Sequence, residues 1–442
     1  MYRNAMEQLH KWKDKSNKKP LIIRGARQVG KTWLMREFGK IAYQQTVYIN
    51  FDNNPQMKEL FSADMRVDRI VMGLELYAGH KIDAEKTLLI FDEIQEAPQA
   101  LTSLKYFSEL APQYQIVCAG SLLGVALHRG TSFPVGKVDF LDLYPLSFTE
   151  FMRAMGKERF VALLETGDFA MAAAFKQDYI DLLKHYYYVG GMPEAVQSFA
   201  DNQDFSEARD IQQHILSAYE QDFSKHAPYE VVPRIRMLWN SIPAQLTKEN
   251  KKFIYGLIKD GARAKDYELA LMWLSDCGLV HRVNRATAPS LPLKAYEDLK
   301  AFKLFLLDVG LLGCMVRLNQ KVLLNGHDLF KEFKGALTEQ YVLQQLKTLK
   351  GVDSYYWTNA RGNAEVDFLI DTGDEVIPVE VKAEINLKAK SLKTYCEKFG
   401  PKTAIRTSMA DYRQEDRLLN LPLWAIETLG RRDTCAPWQT ES

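Results

Sequence analysis

The chain has 442 residues, more than one typical hydrophobic core, which predicts two or three domains. Its 57 basic and 56 acidic residues leave a formal net charge of +1, so no global charge draws it to nucleic acid, and the composition is that of an ordinary soluble globular protein. No apolar run is long enough to span a bilayer, and the N-terminus, with Trp12 among lysines, lacks the apolar region of a signal peptide.

Residues 1–40 hold eleven Lys/Arg against three Asp/Glu, a local surplus of eight. Part of it belongs to the loop described next. The rest (Lys11, Lys13, Lys15, Lys18, Lys19) reads as a solvated face in preference to a nucleic-acid contact. The apolar run Leu21-Ile22-Ile23 leads into Gly25-Ala26-Arg27-Gln28-Val29-Gly30-Lys31-Thr32, a full GxxxxGK[ST] phosphate loop, and a helical pattern begins at Trp33. Gly25 and Gly30 permit a tight turn whose N–H groups face phosphate oxygens, and the helix N-terminus adds partial positive charge. Lys31 is expected on the β- and γ-phosphates of ATP and the Thr32 hydroxyl on Mg²⁺.

A second strand is expected over Val47–Asp52, then helices over 55–80. Thr87-Leu88-Leu89-Ile90-Phe91-Asp92-Glu93 is an apolar strand ending in two carboxylates, a Walker B pattern once a phosphate loop precedes it. Asp92 would hold Mg²⁺ through water, and Glu93 would orient and polarise the attacking water. Gln115-Ile116-Val117-Cys118-Ala119-Gly120-Ser121 reads as a third strand, ending in a hydroxyl. Ser121 suits a polar sensor of the γ-phosphate or a helix N-cap. Strands alternating with helices predict a parallel sheet with nucleotide beyond its C-terminal strand ends.

Three of these stretches, Arg24 to Thr32, Phe91-Asp92-Glu93-Ile94-Gln95 and Ala119-Gly120-Ser121, together with Tyr144 to Phe151 and Gly190-Gly191-Met192-Pro193-Glu194-Ala195, resemble a prokaryotic family of AAA-type ATPases. The likeness extends over nearly the whole chain. It implies a helical lid, a winged-helix-like module and a C-terminal domain that resembles restriction endonucleases. Where family members often carry Gly-Arg this chain has Gly136-Lys137, and lysine is a poorer fork-like donor than an arginine finger; Arg129 is the other nearby cation.

Residues 151–225 are helical in pattern, and Tyr186-Tyr187-Tyr188 ahead of Gly190-Gly191 reads as core packing. Residues 230–286 read as three helices and a strand. This segment holds ten Lys/Arg and six Asp/Glu, yet its last helix starts with Asp266-Tyr267-Glu268, acidic where a DNA-reading helix would meet phosphate, so a structural or protein-contact role is favoured. Leu304 to Leu312 is a buried strand or helix leading into the last domain.

That domain has a helix over roughly 330–349 carrying Glu339, then three strands. Gly373-Asp374 fits a two-residue hairpin loop, so 372 faces 375, Asp367 lies opposite Glu380 and Glu365 opposite Lys382, all four on one face. Two opposed carboxylates and a lysine two residues on can collect a hard cation and neutralise developing phosphate charge. The alternative is a face of cross-strand ion pairs. This is the Asp…Glu-x-Lys pattern of the restriction-endonuclease-like fold, where the resemblance makes Glu339 the helical acid.

The expected architecture is therefore α/β: an AAA-type P-loop domain over 1–150, a helical lid over 151–229, a winged-helix-like module over 230–325 and a restriction-endonuclease-like α/β domain over 326–442. The expected activity is Mg²⁺-dependent ATP hydrolysis coupled to a DNA-directed, metal-dependent nuclease, with metal ligands Thr32, Asp92, Glu339, Asp367 and Glu380. The alternative is a signalling or remodelling ATPase acting on protein partners, its last domain a docking module. Self-association is left open. The five cysteines (Cys118, Cys277, Cys314, Cys396, Cys435) are odd in number and form no CxxC pair. They argue against a disulfide framework or zinc site and for a reducing cytoplasm.

Overall fold

Five short segments form strands β1 (Leu21–Arg24), β2 (Gln45–Asn50), β3 (Thr87–Asp92), β4 (Gln115–Ala119) and β5 (Asp139–Asp142). The computed structural model describes residues 1–120, 133–248, 251–325, 331–359, 362–385 and 389–430. The five strands form one sheet in the order β2-β3-β4-β1-β5, and every pairing is parallel. A parallel sheet has helices on both faces, so its central strands must be apolar on both sides. Accordingly β3 and β4 are buried at every position. The helices Lys31–Ala42, Pro55–Ala63, Val67–Ala78 and Pro98–Leu110 connect the strands. The rings of Phe51, Phe61 and Phe91, all fully buried, meet edge to face at 5.5–5.8 Å in the core.

Four of the five N-terminal lysines bond to this unit's own backbone and acids. Lys13 donates to the Ala42 carbonyl, Lys18 to the Lys13 carbonyl and Lys19 to the Gly136 carbonyl, while Lys15 lies 3.3 Å from Asp139. Lys137, at the position considered for a finger, pairs with Glu109 at 2.9 Å.

Residues 2–144 with 276–279 form one compact unit, and 145–275 with 280–442 form a second. The second unit opens with six helices between Phe148 and His226. A helix Val232–Leu246, a 3₁₀ turn Tyr255–Leu257 and a helix Ala264–Asp276 lead into the antiparallel hairpin β6 (Val280–Ala286) and β7 (Glu297–Leu306). After the helices Val309–Met315, Gln320–Asn325 and Lys331–Thr348 come β8 (Asp353–Thr358), β9 (Glu365–Asp371), β10 (Val376–Val381), the helix Lys390–Phe399, β11 (Ala404–Ser408), β12 (Arg413–Glu415) and β13 (Leu418–Pro422). They form an eight-stranded sheet, β12-β13-β11-β10-β9-β8-β6-β7. The hairpin does not stand apart as a wing, because β6 pairs in parallel with β8 at Arg285–Tyr356. The positions expected as boundaries, 229/230 and 325/326, both fall inside this one unit.

The Gly190-Gly191 break has a steric cause. At Gly190 (φ +73°) a Cβ would stand 2.2 Å from Asp308 Oδ1, and at Gly191 it would stand 2.2 Å from the Leu146 carbonyl oxygen. Asp308 is fully buried at the N-cap of the helix Val309–Met315 and accepts from Leu311 N (3.0 Å), Gly191 N (2.6 Å) and Gln344 Nε2 (2.9 Å). The same Gln344 amide donates to Tyr186 Oη at 2.9 Å, and Tyr186, Tyr187 and Tyr188 are all buried. The tyrosine run is thus core. Gln345 accepts from Phe148 N, and Glu427 accepts from Thr149 N and Oγ1, so the first helix of the unit is held by its last segment. Among the described residues no helix is long and apolar enough to cross a membrane.

Asp308→Ala strands three buried donors at once. The expected cost is about 3 kcal/mol or more, read as a lowered urea midpoint. A loss no larger than that of an exposed control such as Asp201→Ala would show that these bonds do not hold the unit together.

Candidate functional site

The phosphate loop lies between β1 and the helix Lys31–Ala42. Its backbone takes positive φ at Gly25 (+150°), Gln28 (+65°) and Gly30 (+93°). A Cβ at Gly25 would stand 2.2 Å from the Leu143 carbonyl oxygen, which is why glycine opens the turn. Lys31 is 7% exposed and donates to the Gly25 and Ala26 carbonyls at 2.8 and 2.6 Å. Burial pushes its ammonium down from 10.5 to about 8, against the pull of Glu93 and Asp92.

The end of β3 supplies the acids. Thr32 Oγ1 donates to Asp92 Oδ2 at 2.7 Å, and Tyr48 Oη donates to the same oxygen at 2.9 Å. Two hard oxygen donors, a hydroxyl and a carboxylate, therefore stand together as Mg²⁺ ligation by Thr32 and Asp92 requires. Glu93 occupies the left-handed region (φ +51°), and its Oε2 accepts from Gln95 Nε2 at 2.5 Å. Sequence reasoning missed both Tyr48 and Gln95. Gln95 was signalled by its spacing, two residues beyond the acid. Ser121 and Arg129 lie outside the described residues.

The second constellation is in the eight-stranded sheet. The ladder of β9 with β10 pairs Asp371 with Val376 and Phe368 with Val379, and Thr372 N donates to the Glu375 carbonyl. Continued by one pair, that register sets Asp367 opposite Glu380, as the two-residue loop predicts. Val381 N donates to Asp367 Oδ2 at 2.8 Å, and Lys382 Nζ donates to Glu380 Oε1 at 2.6 Å. Glu339, from the helix Lys331–Thr348, is brought to the same cluster and pairs with Lys251.

The ion pairs differ from the expected ones. Glu365 does not meet Lys382; its Oε1 lies 2.5 Å from Nζ of Lys303, a β7 residue with no exposed surface. Lys303 Nζ also lies 3.8 Å from Glu339 and 4.0 Å from Asp367. Four carboxylates thus face three ammonium groups. Among the described residues no three His, Cys, Asp or Glu side chains stand together as a metal-ligand group. The expected trio Glu339, Asp367 and Glu380 does not form such a group, and Lys303 and Lys251 lie beside its carboxylates. The donor chemistry still suits a hard cation: Glu339 and Glu380 are 7% and 4% exposed, and the Oε2 of each is buried and accepts no hydrogen bond.

Burial, with the charges of Glu339 and Glu380, drives the Asp367 carboxyl well above the usual carboxylate range. Burial also raises Glu380, against the pull of Lys382. Burial pushes Glu339 up as well, but Lys251 and Lys303 outweigh it and leave its carboxyl below the usual range. Burial disfavours the Lys303 ammonium, yet Glu365, Glu339 and Asp367 hold it above its ordinary value. The signal for Lys303 was present in the sequence as a lone lysine inside the apolar run Ala301 to Leu307. Nothing local marked Lys251.

Residues 17–152 match a family described as an AAA domain. Residues 180–322 and 334–426 match two families each described as a domain of unknown function, DUF8612 and DUF4143. No curated protein matches the chain. Among solved structures, the Walker-type ATPase PABY2304 of Pyrococcus abyssi is similar at 15% identity and a TM-score of 0.43, covering 70% of this chain and 94% of its own. The Aeropyrum pernix ORC1 protein in complex with DNA is similar at 13% identity and a TM-score of 0.27, covering 71% and 91%. The Drosophila ORC bound to DNA is similar at 18% identity and a TM-score of 0.30, covering 71% and 95%. On the family match, the parallel sheet and its phosphate loop, the N-terminal unit is an AAA-type P-loop domain.

The lowered Lys31 value has a testable consequence. Below about 8 the ammonium is charged and ready for phosphate; above it the free protein loses that proton. Affinity for a nucleoside triphosphate, measured by calorimetry, should fall as pH rises from 7.5 through 9.5, by up to about tenfold per unit. Lys31→Arg, which keeps its charge, should flatten the profile. A flat wild-type profile would show that Lys31 does not carry the phosphate contact.

Proposed function

We propose that this protein binds and hydrolyses ATP at the N-terminal site and carries, in its C-terminal sheet, a cation-dependent phosphodiester-cleaving site directed at DNA. The observation that carries the first half is the convergence of Lys31, Thr32, Asp92 and Glu93 at the C-terminal ends of β1 and β3, where open parallel sheets bind ligands. Gly25 to Gly30 present backbone N–H groups to the phosphates, and the helix Lys31–Ala42 adds its N-terminal dipole. Lys31 exchanges two carbonyl partners for the β- and γ-phosphate oxygens. Bound Mg²⁺ supplies charge neutralisation on those phosphates, with Thr32 and Asp92 as its protein ligands. Glu93 orients the attacking water and takes its proton, while the Gln95 amide holds the Glu93 carboxylate in place.

The second half rests on Asp367, Glu380 and Lys382, which keep the order and register of the Asp…Glu-x-Lys pattern. Asp367 and Glu380 would hold a divalent cation, which polarises a phosphodiester and activates water when bound. Lys382, joined to Glu380, then neutralises charge developing on the phosphate. A second reading, a non-cutting docking module on an ATPase that remodels protein partners, is favoured by the three lysines already paired with the cluster's carboxylates.

Glu93→Gln keeps the side chain's shape and removes the base. It should bind ATP normally and turn it over about 100-fold or more slowly. Wild-type turnover in that variant would place the water-activating group elsewhere.

Lys382→Ala and Asp367→Asn should abolish Mn²⁺-dependent cleavage of single- or double-stranded DNA and leave basal ATP turnover within about twofold. If wild-type protein cleaves neither DNA form and DNA does not stimulate its ATPase, the docking reading stands in place of the nuclease.

A further inference from the structure

The carboxylate at the end of β3 is held by more than the phosphate-loop threonine. Asp92 Oδ2 accepts from two hydroxyls, Thr32 Oγ1 at 2.7 Å and Tyr48 Oη at 2.9 Å, and Oδ1 accepts from Glu93 N at 3.1 Å. A carboxylate offers about four acceptor positions. Described residues fill three of them, and the one left is on Oδ1. Asp92 is 3% exposed, so these protein donors set its orientation. Tyr48 is not the β2 residue nearest to it. In the ladder of β2 with β3, Asn50 stands beside Asp92 and Tyr48 beside Ile90. The Asn50 side chain accepts from Asp52 N instead. An offset of two residues keeps Tyr48 and Asp92 on one face of the sheet, and the tyrosine ring spans that offset.

The ring is itself covered. The Arg36 guanidinium lies 3.8 Å from its centroid. Arg36 follows Thr32 by four residues on the helix Lys31–Ala42, so the two share a helix face. One helix thus supplies a direct donor to Asp92 and, one turn on, the group that covers the second donor. We infer that Tyr48 is a positioning residue of the Mg²⁺ site: its hydroxyl fixes the Asp92 carboxylate for the cation of a bound nucleoside triphosphate, and Arg36 steadies the ring that carries it. This rests on the reading of Thr32 and Asp92 as the Mg²⁺ ligands and adds what prepares them. The Thr32 hydroxyl has a second task, because its oxygen also serves the cation. Tyr48 is outside the ligand set and can hold Asp92 throughout. Partners that orient a metal's ligands in this way are worth about 10- to 100-fold in metal affinity.

The test uses the full chain and an ATP analogue with an imido group between the β- and γ-phosphates. The proteins are wild type, Tyr48→Phe, Arg36→Met, the double variant and Asp92→Asn, each checked for folding by circular dichroism. Calorimetry in EDTA gives the analogue's affinity without metal. The electron paramagnetic resonance signal of free Mn²⁺ gives the metal affinity of the analogue-bound protein. Tyr48→Phe should lower Mn²⁺ affinity about tenfold or more and leave the metal-free affinity within about twofold. Arg36→Met should lower Mn²⁺ affinity less, and the double variant no further than Tyr48→Phe, because both changes act through one bond. A parallel loss with and without metal would reduce Tyr48 to a structural residue and overturn the inference. So would wild-type Mn²⁺ affinity in folded Tyr48→Phe while Asp92→Asn weakens it, an outcome that leaves the Mg²⁺ site in place. Arg36 is exposed, so its variant decides the matter if Tyr48→Phe fails to fold: lowered Mn²⁺ affinity supports the inference and unchanged affinity overturns it. Wild-type Mn²⁺ affinity in Asp92→Asn would overturn the reading of Asp92 as a ligand, and the inference with it.

Discussion

A fully buried ammonium group sets terms for everything around it. Lys303 can remain charged in the interior only if carboxylates reach it, and Glu365, Glu339 and Asp367 do so from two different elements. The hairpin β6–β7, the strand β9 and the helix Lys331–Thr348 are therefore bound to one another by charge as well as by the sheet. Removing these acids while Lys303 stays buried would leave an uncompensated charge in the interior. The hairpin of the segment expected to be winged-helix-like lies in the same sheet as these acids.

The second tie is made of backbone. Asp308 accepts from two main-chain N–H groups and one buried amide, and it approaches Gly190 so closely that no side chain fits there. Gln344 carries the same network on to Tyr186, and Gln345 and Glu427 extend it to the helix Phe148–Ala154. Helices expected as a lid for the nucleotide domain are thereby built into the unit that holds the acidic cluster.

In both candidate sites chemistry is placed at strand ends or strand faces, and a buried lysine stands among carboxylates. The outcomes differ. Lys31 loses to burial and is pushed down toward 8, whereas Lys303, with three acids beside it, is held above its ordinary value. The first lysine is poised to gain a phosphate partner. The second already has its partners and serves as a fixed counterion.

Local chemistry was legible along the chain wherever neighbours in sequence decide the geometry. The phosphate loop needs glycine at positive φ, β3 and β4 need continuous apolar runs, and the turn Gly373-Asp374 sets the register that brings Asp367 opposite Glu380. Each of these follows from sterics, strand periodicity or turn length within a few residues. The ion pairs did not follow in that way. Glu365 was expected against Lys382 and met Lys303; Glu339 was expected on a metal and met Lys251. A lysine's sequence neighbourhood says that burial is expensive but not which distant acids will offset it. That choice was made when the hairpin added itself to the C-terminal sheet, because desolvated charges accept whichever opposite charges the chain's packing brings within reach.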